Sequence, residues 1–444
     1  MKARRADHSH IKAIHAAAAD LNGQARGKRL PAHAARKVMI EGIRFPFSAM
    51  NLDIWGEDIA DSPLVFASGD QDGLLLPTGR ECMPMPWLPS PSALVPIWMF
   101  HEDGRPFQGD PRHALAHVLN RYAARNWRPV VATELEFYLI DDGTYPPQPP
   151  RSPVSGKRPP GAEILSMRQI DAFDAFFTEL YEACHAMDIP ADAAISEGGP
   201  GQFEINMTHQ DDALKTADDA WLFKMLTRGI ARRHGFAASF MAKPYGNFSG
   251  NGMHTHFSVL DREGRNIFDN GREDGSAILR HAIAGALRAL PCSTLIFAPH
   301  ANSYDRLVRE SHAPTGIAWA YENRTAAIRV PSGKPAARRI EHRVAGGDAN
   351  PYLMLAAVLG AALTGIEDEL EAPKPVTGNA YDQELEQLPA CWTTAIDRFE
   401  RDPITRRLFP DPLIFNLTMT KRQEVRRIVT LNDRETIELY LDTV

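Results

Sequence analysis

Three stretches of this chain place polar or charged residues at every second position within β-type sequence. Val130–Ile140 carries Glu134 and Glu136. A second run, Gly250–Leu260, carries His254, His256 and Ser258 directly after a flexible Gly-x-Gly, and Arg338–Val344 carries Arg339, Glu341 and Arg343. On a strand, residues two apart leave the same face, so each stretch presents one polar row. A lone Glu or His is most simply a solvated or satisfied surface residue. Three such rows are hard to dismiss as surface, and Val131, Phe137 and Leu139 beside the first suggest that a core lies nearby. Carboxylates held ~5–7 Å apart repel unless a cation lies between them.

The segment Ser196–Asn206 adds Glu197 and Glu204 around a Gly/Pro turn. The candidate ligands are then Glu134, Glu136, Glu197, Glu204, Glu341 and His254. A set this rich in oxygen, with one imidazole, suits Mg²⁺ or Mn²⁺ better than Zn²⁺ or copper, and two ions can be accommodated. Opposite these acids stand Arg306, Arg324, Arg329, Arg339 and Arg343, whose planar forks bind carboxylate or phosphate bidentately. Metals held by acids, facing converging arginines, describe a phosphoryl-transfer site. No P-loop accompanies it: Gly333-Lys334 is followed by Pro335, and position 328 is Ile. His-Glu-x-x-His and Gly-x-Ser-x-Gly patterns are also missing.

Length and charge limit the alternatives. At 444 residues a single compact unit is disfavoured, and a net charge of −7 argues against nucleic acid as a partner. Four scattered cysteines without a CxxC pair suggest neither a disulfide framework nor a thiolate metal site, which implies a reducing compartment. No apolar run approaches the ~20 residues of a membrane span. The basic N-terminus, Met1 to Arg5, lacks the apolar segment of a secretory signal, so the expected location is cytoplasmic.

Along the chain, the Ala-rich stretch His8–Leu21 predicts a first helix, and Gly23–Pro31 a turn-rich link. A few strands are expected between Lys37 and Pro77, a loop over 83–92 and another strand over Val95–Phe100. Asp110-Pro111 puts a favoured cap before a proline at the first helical position, so a helix follows, and a domain boundary is placed near residue 108. Beyond it the pattern predicts a strand over Val130–Ile140, a Pro-rich loop from Tyr145 to Gly161 and a long helix over Asp171–Met187. A strand before Gly201–Met207, a helix over Asp211–Arg233 and a largely helical C-terminal third complete the reading.

With these motifs in hand, the chain resembles the glutamine synthetase family, and more closely its branch of γ-glutamyl-amine ligases that act on amines such as putrescine. The resemblance spans nearly the whole chain. It rests on Glu134 and Glu136, Gly199–Glu204, Gly252–His256, Asn302–Arg306, Glu322–Thr325, Ala337–Arg343 and Asn350–Leu353. It implies an α+β fold with a small β-grasp-like N-terminal domain (1–108) and a large catalytic domain (109–444), whose curved antiparallel sheet forms a funnel flanked by helices. It also implies a ring homo-oligomer, a dodecamer, with the site between subunits.

By position, Glu136, Glu197 and Glu204 are expected to hold the metal nearest glutamate, and Glu134, His254 and Glu341 the metal on the nucleotide phosphates. Gly250, Arg306 and Arg343 would position glutamate. Arg324, Arg329 and Arg339 would face the transferring phosphoryl group, with His256 and Ser258 towards ATP. The implied reaction joins the γ-carboxylate of glutamate to an organic amine at the expense of ATP. Ammonia as the amine, or a catalytically silent relative, are the alternatives.

The family pattern is broken in places. Glutamine synthetases usually carry a flap Glu six residues after the arginine that is Arg306 here; this chain has His312. An imidazole holds ammonium less well than a carboxylate does, so His312 is expected to bias the site towards a bulkier amine, with Trp319 a candidate pocket wall. The N-terminal Asp that completes an ammonium pocket has three candidates, Asp53, Asp58 and Asp61. A nucleotide-site Lys is replaced by Ala336, with Lys334 nearby, and Tyr381 lies where some relatives carry a regulatory tyrosine.

Overall fold

The computed structural model describes residues 11–159 and 161–444. The basic stretch Met1–Arg5 and the start of the expected first helix lie outside the described residues. Two sheets organise the described residues. The first has six strands: β1 (Ala13–Ala19), β2 (Ala25–Pro31), β3 (Ile43–Pro46), β4 (Asp72–Pro77), β5 (Met83–Pro84) and β6 (Ser92–Phe100), in the order β2-β1-β6-β4-β3 with β5 also on β6. A short helix, α1 (Ala35–Glu41), packs on it. This is the small N-terminal β-rich unit anticipated above.

The expected first helix is a strand. Ala is the best helix former, yet Ala13–Ala19 pairs with β2 on one edge and parallel to β6 on the other, and five of its residues are buried alanines. Sheet pairing and burial on both faces override a weak local preference. The small side chains let the neighbours approach: a Cβ on Gly27 of β2 would lie 2.8 Å from Ala17 Cα. The expected link Gly23–Pro31 is therefore mostly the edge strand β2, whose Arg26, Lys28 and Arg29 fit an exposed edge.

The second sheet has eight strands: β7 (Arg128–Ile140), β8 (Ala191–Ser196), β9 (Gln202–Met207), β10 (Ala237–Ser239), β11 (Met253–Leu260), β12 (Trp319–Tyr321), β13 (Ile328–Val330) and β14 (Ile340–His342). Their order is β12-β13-β14-β11-β7-β9-β8, with β10 also on β7. Pairing is antiparallel except between β12 and β13. The helices are α2 (Pro111–Ala123), α3 (Met167–Ala172), α4 (Asp174–Ala186), α5 (Ala213–Arg233), α6 (Ala277–Phe297), α7 (Ser303–Arg306), α8 (Pro351–Glu367), α9 (Trp392–Arg401), α10 (Thr405–Leu408), α11 (Asp411–Ile428) and α12 (Asp433–Thr443).

The Asp110 carboxylate accepts from Arg112 N and Pro111 opens α2, as the sequence indicates. The long helix expected over Asp171–Met187 breaks at Phe173, whose buried ring packs edge-on against Phe203 and Phe236. Among the described residues no helix is long and apolar enough to cross a membrane.

One face of the N-terminal sheet, through Ala17, Ala19 and Leu94, joins the large core that also holds Leu135, Phe137, Phe257, Leu353 and Leu363. A buried polar knot fastens the same junction. Lys421 Nζ of α11 donates to Asn22 Oδ1 (2.5 Å) and Glu424 Oε2 (2.8 Å), while Glu424 Oε1 accepts from Asn22 Nδ2 (3.0 Å) and Ile54 N (2.8 Å). Lys421 and both oxygens of Glu424 thus have hydrogen-bond partners, the condition under which a buried ion pair is tolerated.

Candidate active site

Register brings the three polar rows together. His254 of β11 lies opposite Glu134 of β7, Glu136 of β7 opposite Glu204 of β9, His256 of β11 opposite Glu341 of β14, and Glu341 opposite Arg329 of β13. One face of five adjacent strands thus carries acids and imidazoles in its middle and an arginine at one side. Glu197 lies in the turn between β8 and β9, where its amide donates to Gln202 O. All six sequence-derived ligand candidates gather on this face.

Glu134 sits at its centre, with His254 Nδ1 3.2 Å from one oxygen and His256 Nε2 2.9 Å from the other. Ligand atoms of Glu134, Glu204 and His254 lie within 4.8 Å of one another, as do those of Glu134, His256 and Glu341. The closest groupings differ from those expected in that His256 stands beside Glu134 and Glu341, while one oxygen of Glu136 is taken by the neighbouring chain. Glu136 Oε2 accepts from Gly252 N at 2.7 Å and from Gln202 Nε2 at 3.4 Å.

The electrostatics are lopsided. Burial works against ionising Glu134, but hydrogen bonds to His254 and His256 outweigh it and hold its carboxyl far below the usual range. Burial, then Glu136 and Glu134, push Glu197 up to about 7; burial, then Glu134, Glu136 and Glu197, push Glu204 up to about 9. Glu341 is held low despite burial, chiefly by Arg343. Glu197 and Glu204 thus have too little positive charge beside them, and hard oxygen donors in excess of cations suit a divalent ion.

The arginines divide into two groups. Arg306 and Arg343 are buried. Arg306 Nη1 donates to Val344 O (2.7 Å), and Arg343 bonds Glu341 through Nη1 and Arg324 O through Nε (3.2 Å). Gly252 packs closely here: a Cβ would lie 3.0 Å from both Arg306 Nη2 and His254 Nε2. Gly250 packs likewise on Arg306, where a Cβ would meet Arg306 Cγ at 2.8 Å. Arg329 Nη1 donates to Glu341 Oε2 at 2.5 Å.

Arg339 Nε donates to His256 Nδ1 at 3.2 Å and, with His209, Thr208 and Asn206, lines a cavity of about 200 Å³ that reaches Glu134. Ser258 lies beyond His256 on the same strand face. Arg324 is exposed in a groove of about 740 Å³ between Tyr321–Thr325 and Pro375–Asn379.

The remaining candidates are placed differently. His312 is exposed on the loop between α7 and β12 with φ 62°. That loop is tied down by Tyr381, whose hydroxyl donates to Ala313 O at 2.8 Å, so Tyr381 is a loop anchor in this structure. Trp319 is buried and donates to Pro373 O (2.7 Å), so it is a core residue and not the pocket wall expected of it. Asp53 is consumed locally by the amides of Trp55 and Glu57 and by Gln423, whereas Asp58 and Asp61 are exposed. Lys334 and Ala336 are exposed.

Sequence reasoning missed Gln202, which holds Glu136, Gly250 O (3.0 Å) and Asn251 Oδ1 (3.1 Å) together. It also missed Asn206, which donates to Glu204 at 2.8 Å. Their position two residues to either side of Glu204 on β9 was the available signal.

An acidic sheet face ringed by arginines, on an α+β scaffold with a second small sheet, suits an enzyme that brings anionic groups together around divalent cations. Residues 108–440 match the family described as glutamine synthetase, catalytic domain. The chain is 37% identical over 400 residues to gamma-glutamylputrescine synthetase PuuA of Escherichia coli, covering 88% of this chain and 83% of that one. It is 32% identical over 413 residues to the glutamine synthetase of Pyrococcus furiosus, covering 91% and 88%. A solved GmaS/ADP complex superposes with a TM-score of 0.83 at 28% identity, covering 98% of each chain. The chain belongs to the glutamine synthetase family.

Proposed function

We propose that this enzyme joins the γ-carboxylate of L-glutamate to an organic amine, using ATP and two or more Mg²⁺ or Mn²⁺ ions. The observation that carries the reading is the cluster of Glu134, Glu136, Glu197, Glu204, His254 and Glu341 on one sheet face, facing buried Arg306 and Arg343. The similarity to a protein named as a putrescine ligase favours an organic amine over ammonia. So does His312 at the position where the family carries a flap Glu.

The obstacle in this chemistry is bringing the glutamate γ-carboxylate up to a polyphosphate. Bound divalent ions supply charge neutralisation at the phosphates and carboxylates. Arg306 and Arg343, with the Gly250 backbone, hold glutamate in register. Arg324, Arg329 and Arg339 neutralise the transferring phosphoryl group, and His256 and Ser258 face ATP. Removing one such charge partner typically costs ~2.7–4 kcal/mol in the barrier.

A carboxylate oxygen bonds to the terminal phosphorus as the bond to ADP breaks. The amine, having lost a proton, then attacks the acyl carbon and phosphate leaves with that oxygen. His312 accepts the proton and disfavours ammonium. The chain divides near residue 108 and assembles into a ring of twelve subunits, in which an acidic residue of a neighbouring copy, from Asp53, Asp58 and Asp61, completes the amine site.

The test is phosphate release with glutamate and ATP across a panel of amines that includes ammonium, putrescine, ethanolamine and short alkylamines. Release that requires both glutamate and an organic amine supports the reading. A preference for ammonium returns the enzyme to glutamine synthesis, and no release with any amine favours a silent relative. Light scattering that reports a monomer contradicts the ring.

A further inference from the structure

Arg329 is held by two carboxylates, only one of which belongs to the cation cluster. Its Nη1 donates to Glu341 Oε2 (2.5 Å), while its Nη2 lies 3.2 Å from Glu322 Oε2 and 3.4 Å from Oε1. Its Nε is buried without a hydrogen-bond partner. Glu341 is itself bridged by Arg343 as well as Arg329, so a metal ion bound there would compete with the two arginines for the same two oxygens. An arginine with no second anchor would close both arms on Glu341 and oppose a cation there.

Glu322 supplies that second anchor at a backbone cost. It follows β12 with φ 51°, a left-handed conformation that disfavours a residue with a Cβ. Its amide donates to Val330 O (3.2 Å), and its carboxylate accepts from Ser332 N, which fixes the carboxylate against the end of β13. A turn that needed only its shape would be better served by Gly or Asn.

We infer that Glu322 is a positioning residue for nucleotide binding: it retains one arm of Arg329 when Glu341 turns to a metal ion, and so keeps the guanidinium free for the phosphoryl group. This rests on the proposed role of Arg329 towards the phosphates. Glu322 is not among the described residues grouped as candidate metal ligands.

The test is calorimetric binding of Mn·ATP to the full chain in a double-mutant cycle of Glu322→Gly and Arg329→Gln, with unfolding midpoints recorded alongside. Gly suits the left-handed backbone, so Glu322→Gly is expected to leave the ligand-free midpoint unchanged or raise it. It should weaken Mn·ATP binding ~10-fold in the parent and less than ~2-fold once Arg329 is Gln, the non-additivity of residues acting as one unit. Glu322→Gln, which keeps a neutral acceptor, should recover part of the loss. Parent-like binding by Glu322→Gly, or equal weakening in both backgrounds, overturns the inference while leaving the ligase reading in place. A parent that fails to bind Mn·ATP defeats the site assignment itself, and the inference with it.

Discussion

Replacing Glu204 by Gln should make the metal-free protein more stable and the metal-loaded protein less so. Glu204 is buried among like charges, and its carboxyl is pushed from 4.5 up to about 9. A carboxyl whose folded pKa is raised destabilises the folded state wherever the unfolded chain would ionise it. The penalty is small below pH ~4.5, grows with pH, and levels off above ~9. At pH 8 the folded protein holds a proton that the unfolded chain has lost, over a span of about 3.5 pH units. At ~1.4 kcal/mol per unit this is at most ~5 kcal/mol, and at pH 5 it is under ~1 kcal/mol. Gln retains an oxygen for the 2.8 Å bond from Asn206 and carries no such penalty.

For a chain of this length the unfolding entropy converts that difference to a rise of ~2–5 °C in midpoint at pH 8. Thermal unfolding in chelator at pH 5 and pH 8, repeated with saturating Mn²⁺, measures it. Glu204→Gln should melt higher than the parent in chelator at pH 8, match it at pH 5, and gain less from Mn²⁺. A variant that melts below the parent in chelator at pH 8, or that differs equally at both pH values, refutes the argument that unneutralised carboxylates strain this site.

Glu136→Ala and Glu341→Ala should each abolish phosphate release while leaving circular dichroism unchanged; near-normal turnover of either at saturating ATP would undo the two-metal assignment. His312→Glu should raise activity with ammonium relative to the best organic amine, and an unchanged ratio assigns the exposed imidazole to solvent. Lys421→Ala leaves Glu424 buried without its ammonium partner and should cost ~3–5 kcal/mol in stability, read as a lowered denaturation midpoint. Retention of the parent midpoint would show that the knot between Asn22, Ile54 and α11 is not needed for stability.

The site was legible because its chemistry is written at strand period: Glu134 and Glu136, His254 and His256, and Glu341 between Arg339 and Arg343 each announce a shared face. Which rows become neighbours was not, because strand order and register are long-range properties. Opposing His254 to Glu134 joins residues 120 apart in sequence. The grouping of His256 with Glu134 and Glu341 followed from that register and could not be read from spacing. Local propensity misled where tertiary pairing decides, as in the alanine strand Ala13–Ala19. It succeeded where the signal is itself local, as at the Asp110 cap. Trp319 misled because an aromatic near a site carries no mark of which face it occupies; its indole turns inward to Pro373. Glu322 went unnoticed as more than part of a motif, since its role depends on a turn conformation invisible in the string.

The central claim is that glutamate is activated at its γ-carboxylate and then captured by an organic amine. Mass spectrometry of the products formed from γ-carboxyl-¹⁸O-labelled glutamate, ATP, Mg²⁺ and an equimolar mixture of ammonium and organic amines tests both halves at once. The account predicts inorganic phosphate carrying one ¹⁸O and a γ-glutamylamide of an organic amine as the main product. Unlabelled phosphate, or glutamine as the main product, would contradict it.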